Sequence, residues 1–193
     1  ANLYDIKQTP TYSMRTLAYH EATPGHHHQI AHSLENEDLT LYRRFGYGTS
    51  AFSEGWALYA ERLALEVGLA ENPYDELGIL QSELFRSVRL VVDTGMHYKR
   101  WTREEAMDYM KSITGMSDTE VRVEIERYIV WPGQALSYKV GMIKMLELRE
   151  KAKQELGDQF NIKDFHSAVL DHGNPPLFIV EKMINKMISD AKS

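Results

Sequence analysis

No stretch of this chain alternates apolar and polar residues for the length of a half-buried strand, so the fold open to it is helical. The start signals agree. Thr102 stands three residues before Glu105, and Ser117 three before Glu120, each ahead of an apolar periodic run. In such a capping box the hydroxyl accepts a backbone N–H of the first turn, and the glutamate accepts the N–H of the capping residue. Helices are therefore predicted from Thr102 and over residues 121–130. Others are predicted over residues 12–33 with a deformation at Pro24, over 39–44, over 51–67 ending at Gly68, and over 74–98 after Pro73. Trp131-Pro132-Gly133 breaks the chain, and Pro132 then suits the first turn of a helix that runs to Leu156 and is closed by Gly157. Asn161 caps a short helix to about Asp171, and Pro175-Pro176 open the last one, ending near Ala191. Residues 1–11 are polar and hold Pro10, and read as a lead-in strand or loop. The expectation is an all-α fold with residues 1–193 as a single helical domain.

Composition narrows the function more than the fold. With 193 residues, 43% hydrophobic and 26% charged, the chain is an ordinary globular one that can bury a core. A net charge of −6 and the lack of any Lys/Arg run argue against a nucleic-acid partner. No apolar run is long enough to span a bilayer. Cysteine is absent, which excludes disulfides and thiolate metal sites and leaves the compartment open. The sequence starts at Ala1 without an initiator Met, so the expectation is the C-terminal portion of a longer protein, with an N-terminal domain missing.

Chemistry concentrates in Tyr19-His20-Glu21-Ala22-Thr23-Pro24-Gly25-His26-His27-His28-Gln29, which holds four of the eight histidines. A His-Glu pair followed by more histidine is how many zinc peptidases build their site: two imidazoles bind the metal and the glutamate activates water. The spacing is not the usual one. In an HExxH helix the histidines are four apart, roughly 40° around the axis. Here that position is Pro24, and His26, six residues on, would point roughly 120° away on a regular helix. His27 would return to the face but lie about 10 Å along it, too far for two ligands at about 2.0–2.1 Å from one ion. Pro24 supplies the remedy, because it lacks an N–H and its ring clashes with the carbonyl of His20. With Gly25 beside it, the segment can bulge and bring His26 back to His20. The bland alternative is a helix that ends at Thr23 and a histidine-rich loop after it.

A second constellation is Ser53-Glu54-Gly55-Trp56-Ala57-Leu58-Tyr59-Ala60-Glu61. Glu54 sits near the start of its helix, and Glu61, seven residues on, shares its face with Leu58 and Leu65. A zinc site with two histidines takes another protein ligand from elsewhere, often a carboxylate. If the two helices pack antiparallel, Glu54 is placed to serve, and the site lies between two long helices. Glu61 is expected to matter little to the metal. The bland reading of Glu54 is an acid favoured at a helix N-terminus.

The stretches YHEATPGHHHQ, FSEGWALYAERL, RLVVDTGMHYKRWTREEA, PGQALSYKVG and FHSAVLDHGNPPL resemble the bacterial family catalogued as domain of unknown function 885. Its members are considerably longer, and the chain resembles their C-terminal part. The resemblance implies kinship with zincin-like, mainly helical metallopeptidases, with His20, His26 and Glu54 as zinc ligands and Glu21 as the base. Ser53-Glu54-Gly55-Trp56-Ala57 is similar to the motif that supplies the third ligand there. Ordinary zincins have two fewer residues between the histidines, so His27 and His28 stand as alternatives to His26.

Other residues compete for roles. His28 and His32, at i and i+4, have metal-binding spacing but no carboxylate directly after His28. Arg89, Asp93 and His97 form either a surface ion-pair ladder or a group supporting the site, with His97 donating to an oxyanion. Tyr138 is a candidate hydroxyl donor to a tetrahedral intermediate, or else a core tyrosine. His166 and His172 read as structural. The expected function is a zinc-dependent metallopeptidase acting on a peptide or small amide. The alternatives are a non-catalytic helical scaffold or binding module, and a metal-dependent hydrolase of a non-peptide amide or ester.

Overall fold

The computed structural model describes residues 10–46 and 48–193, and among these every regular element is a helix. The predicted lead-in strand or loop falls mostly on residues 1–9, outside the described residues, and Thr11–Ser13 is a short 3-10 turn. The helices are α1 (Met14–Glu21), α2 (His26–Glu35), α3 (Leu41–Phe45), α4 (Ser50–Glu66), α5 (Pro73–His97), α6 (Arg103–Thr114), α7 (Asp118–Val130), α8 (Ser137–Leu156), α9 (Ile162–Leu170) and α10 (Leu177–Ala191). Both capping boxes form as expected. Asn72 caps α5 ahead of Pro73, and Asn161 caps α9. No described helix is long and apolar enough to cross a membrane.

Two expectations are corrected. The predicted helix over residues 12–33 is two helices, α1 and α2, with no helical backbone from Ala22 to Gly25. Pro132 does not start α8. The Asp93 carboxylate accepts the Gly133 N–H at 3.0 Å, and Gly133 takes a left-handed φ of 81°. The chain turns there and makes a 3-10 segment, Gln134–Leu136, before α8 begins.

One core joins Phe52, Trp56 and Tyr59 of α4 to Met142, Met145 and Leu148 of α8, Phe165 of α9 and Ile184 of α10. A second joins Val88 and Val92 of α5 to Met110 of α6 and Ile125 of α7. Each side chain fully removed from water is worth about 1.5–3 kcal/mol before entropy is counted. The α4–α8 contact is set by two glycines. A methyl group on Gly141 would lie 1.9 Å from the Ala51 carbonyl oxygen, and one on Gly55 would lie 2.5 Å from the Gly141 Cα. The helices therefore cross backbone against backbone. That crossing puts Glu54, next to Gly55, beside Tyr138, one turn before Gly141.

Candidate metal centre

His20 is the penultimate residue of α1 and is 3% exposed. The helix stops one residue later because Pro24 cannot donate back to His20. The Thr23–Pro24 peptide is cis. Gly25 then caps α2 while packed on the end of α1: a Cβ there would lie 1.9 Å from the His20 carbonyl oxygen. Only a residue without a side chain lets α2 start so close. The Trp56 indole N–H donates to the Pro24 carbonyl at 2.9 Å and fastens the break to α4.

The break does what a regular helix cannot. The His20 and His26 rings meet edge to face with centroids 4.8 Å apart. Glu54 Oε2 lies 3.2 Å from His26 Nε2 and 3.8 Å from His20 Nε2. One ligand atom from each of the three residues falls within 4.8 Å of the others, and this is the only such group among the described residues. Ligands held at about 2.1 Å in a tetrahedral arrangement lie about 3.4 Å apart. The two Glu54 distances bracket that value, and two imidazoles with one carboxylate suit zinc. The residues come from α1, α2 and α4, so the expected pair of long helices is in fact one long helix and two short ones. His27 and His28 are exposed and do not join the group.

Burial would raise the Glu54 carboxyl, but the imidazoles of His20 and His26 outweigh it and hold it at about 2; Tyr138 contributes in the same direction. Burial likewise opposes charge on His20, yet Glu54 and Glu61 keep its pKa raised. Glu61 also reaches His20. It is 1% exposed and accepts the His20 Nδ1–H at 2.6 Å, while the Thr16 hydroxyl donates to its other oxygen at 2.5 Å. A carboxylate on Nδ1 fixes the tautomer that leaves Nε2 free for metal. The sequence signal was its shared face with Glu54; the partner on α1 had none. Glu61, Thr16, Ser82 and Arg86 also line a pocket of about 250 Å³, which the three candidate ligands do not line.

Tyr138 is brought to the site. It is 8% exposed, and its ring stacks on His20 with centroids 6.1 Å apart. The Arg89 guanidinium lies over its ring at 4.2 Å. Glu21 ends α1, exposed, one peptide bond after His20. His97 is not brought to the site: eight residues beyond Arg89 on α5, it donates Nε2–H to the Tyr128 carbonyl at 2.9 Å. Arg89 and Asp93 are each 2% exposed, so the proposed surface ladder is a pair of buried groups with separate partners, Gln134 and Gly133. His28 and His32 have ring centroids 6.3 Å apart, and His32 pairs with Asp171 at 2.7 Å. His166 accepts from the Tyr59 hydroxyl at 2.8 Å, and His172 lines a surface pocket with Asn174 and Thr49.

A comparison with curated proteins finds no match. Solved structures are similar to this chain, two of them as follows. The "putative lipoprotein" from Colwellia psychrerythraea is 52% identical with a TM-score of 0.93 over 98% of this chain. A "putative lipoprotein of unknown function" from Shewanella oneidensis is 29% identical with a TM-score of 0.85 over 93% of this chain. In each case the chain spans 32% of the relative's length. The profile of the family described as bacterial protein of unknown function, DUF885, matches residues 1–184, and the chain belongs to that family.

Proposed function

We propose that this domain carries the metal site of a zincin-like, zinc-dependent hydrolase, a metallopeptidase acting on peptides or small amides. The observation that carries the reading is the convergence of His20, His26 and Glu54 from three helices to within 4.8 Å. Zinc in such a site supplies Lewis acidity toward a carbonyl and toward water. The chain's own residues do the rest. Glu61 holds His20 by Nδ1 and keeps Nε2 turned toward His26 and Glu54. The Glu21 side chain makes no hydrogen bond or ion pair among the described residues and is exposed, so its carboxylate is available to take a proton from water and pass it to the leaving amine. In this reading the Tyr138 hydroxyl, beside Glu54, donates to the developing oxyanion. His97 has no part in this scheme, because its Nε2 is committed to Tyr128.

The test joins metal content with hydrolysis of a mixed peptide library read by mass spectrometry. Wild type should bind one zinc and cleave. Glu21→Gln should keep the zinc and lose about 10²–10⁴-fold in turnover. Zinc bound without cleavage of peptides, amides or esters would make the domain a binding module, and loss of zinc from Glu21→Gln would make Glu21 a ligand.

A further inference from the structure

Beside the candidate ligands lies a set of cationic donors that the scheme above does not use. Arg89 is 2% exposed, and a guanidinium so buried ordinarily meets a carboxylate. Its hydrogen-bond partner among the described residues is a neutral amide oxygen, Gln134 Oε1 at 3.3 Å, and its Nε has none. Asp93, one turn along α5, spends both oxygens on the Gly133 N–H. Arg127 donates to the same Gln134 oxygen at 3.2 Å, and its nearest carboxylate, Glu124, is 3.7 Å away. One amide oxygen thus serves two guanidiniums.

The arrangement abuts the metal position. The Gln134 amide donates to the Tyr138 hydroxyl oxygen at 3.4 Å, and the Tyr138 ring meets both the Arg89 guanidinium and the His20 imidazole. Arg127 is also a neighbour of the Tyr138 hydroxyl. Its side chain is 38% exposed, so it has donors open to a ligand, whereas Arg89 is closed in by Phe85, Tyr128 and Tyr138.

Resting on the metallohydrolase reading, we propose that Arg127 seats a carboxylate of the substrate next to the metal position and leaves the Tyr138 hydroxyl to the oxyanion. Arg89 stands behind them as fixed positive charge. Gln134 holds both guanidiniums in place and positions them. A planar guanidinium matches a carboxylate with two parallel hydrogen bonds, which a backbone amide of the substrate cannot supply. The carboxylate belongs either to the chain end of a peptide or to an acidic side chain, and the two sources are separable.

The probes are hydroxamic acids, which chelate zinc, carrying a tail of increasing methylene length that ends in a carboxylate or in the matching neutral amide. Binding to the intact zinc-loaded protein is measured by calorimetry. The carboxylate probe of the fitting length should bind wild type about tenfold or more tightly than its amide twin, the range for a charge-assisted hydrogen-bonded pair. In Arg127→Gln, with its helical circular dichroism intact, the two should bind alike. Arg127→Lys, which keeps the charge and loses the fork, should fall between. Peptidyl hydroxamates with a free or amidated end, and with Asp or Asn in the tail, then assign the source. Equal binding of acid and amide tails to zinc-loaded wild type would overturn the carboxylate seat and leave the metal reading standing. Absence of zinc-dependent binding of any probe would overturn the metal reading and the seat with it.

Discussion

At the scale of single residues, the centre depends on which carboxylate faces which nitrogen of His20. Glu54 approaches Nε2 and Glu61 holds Nδ1, so the two acids of one helix face have different work. On the proposed reading, removing Glu54 deletes a ligand, whereas removing Glu61 only frees the imidazole to turn. Glu54→Ala should therefore lose the most zinc affinity, and Glu61→Ala about 10–100-fold, read by competition with a chelator. Wild-type affinity in Glu61→Ala would mean that the Nδ1 contact does not orient the ligand. The shared face of Glu54 and Glu61 was legible from their seven-residue spacing. Their roles were not, because those depend on α1, packed from 41 residues away in sequence. His97 failed as a candidate for the same reason: the i, i+4, i+8 pattern with Arg89 and Asp93 gives a common face of α5, but not that α7 offers its last turn's carbonyl there.

At the scale of elements, two close approaches hold the site together. Gly25 seats α2 on the end of α1, and Gly55 with Gly141 lets α4 touch α8. Gly141→Ala puts a methyl against the Ala51 carbonyl, and the helices must separate. We expect a loss of about 1–3 kcal/mol, the usual range for overpacking, seen as a lower urea midpoint at unchanged slope. Unchanged stability would show that the crossing relaxes freely. Thr102→Ala, which removes the α6 cap, should cost about 1 kcal/mol by the same measurement. Local signals gave these elements well: both capping boxes form, and the Pro24-Gly25 break is real. What they could not give was the form of the break. A bulge within one helix and two helices meeting at an angle need the same proline and glycine, and the Trp56 bond from α4 is a tertiary contact. Pro132 misled for a similar reason, since Asp93 captures the Gly133 N–H from another helix.

At the scale of the molecule, α4, α8 and α9 are joined by a polar relay as well as by the core. Glu66 accepts from Arg149 at 2.8 Å, Arg149 donates to the Tyr59 hydroxyl at 3.2 Å, and that hydroxyl faces His166 Nε2 at 2.8 Å. Burial first, then the charge of Arg149 and His28, hold His166 down from 6.5 to about 4. Its folded pKa lies below its unfolded one, so the unfolded chain takes up the proton first as the solution is acidified. Stability should fall as pH drops from about 6.5 to about 4 and gain no further slope from this residue below that. His166→Gln, which keeps an acceptor for Tyr59, should flatten the decline in that window when urea midpoints are compared, and an unchanged slope would remove His166 as its source. The same packing of helices gathers His20, His26 and Glu54, and the claim that they form a zinc site is tested most directly by an anomalous difference map at the zinc edge from crystals grown with the metal. The expected result is a single strong peak bonded to His20 Nε2, His26 Nε2 and a Glu54 carboxylate oxygen at about 2.0–2.2 Å. A zinc-free centre in crystals that hold zinc elsewhere, or a peak ligated by His28 and His32 instead, would contradict it.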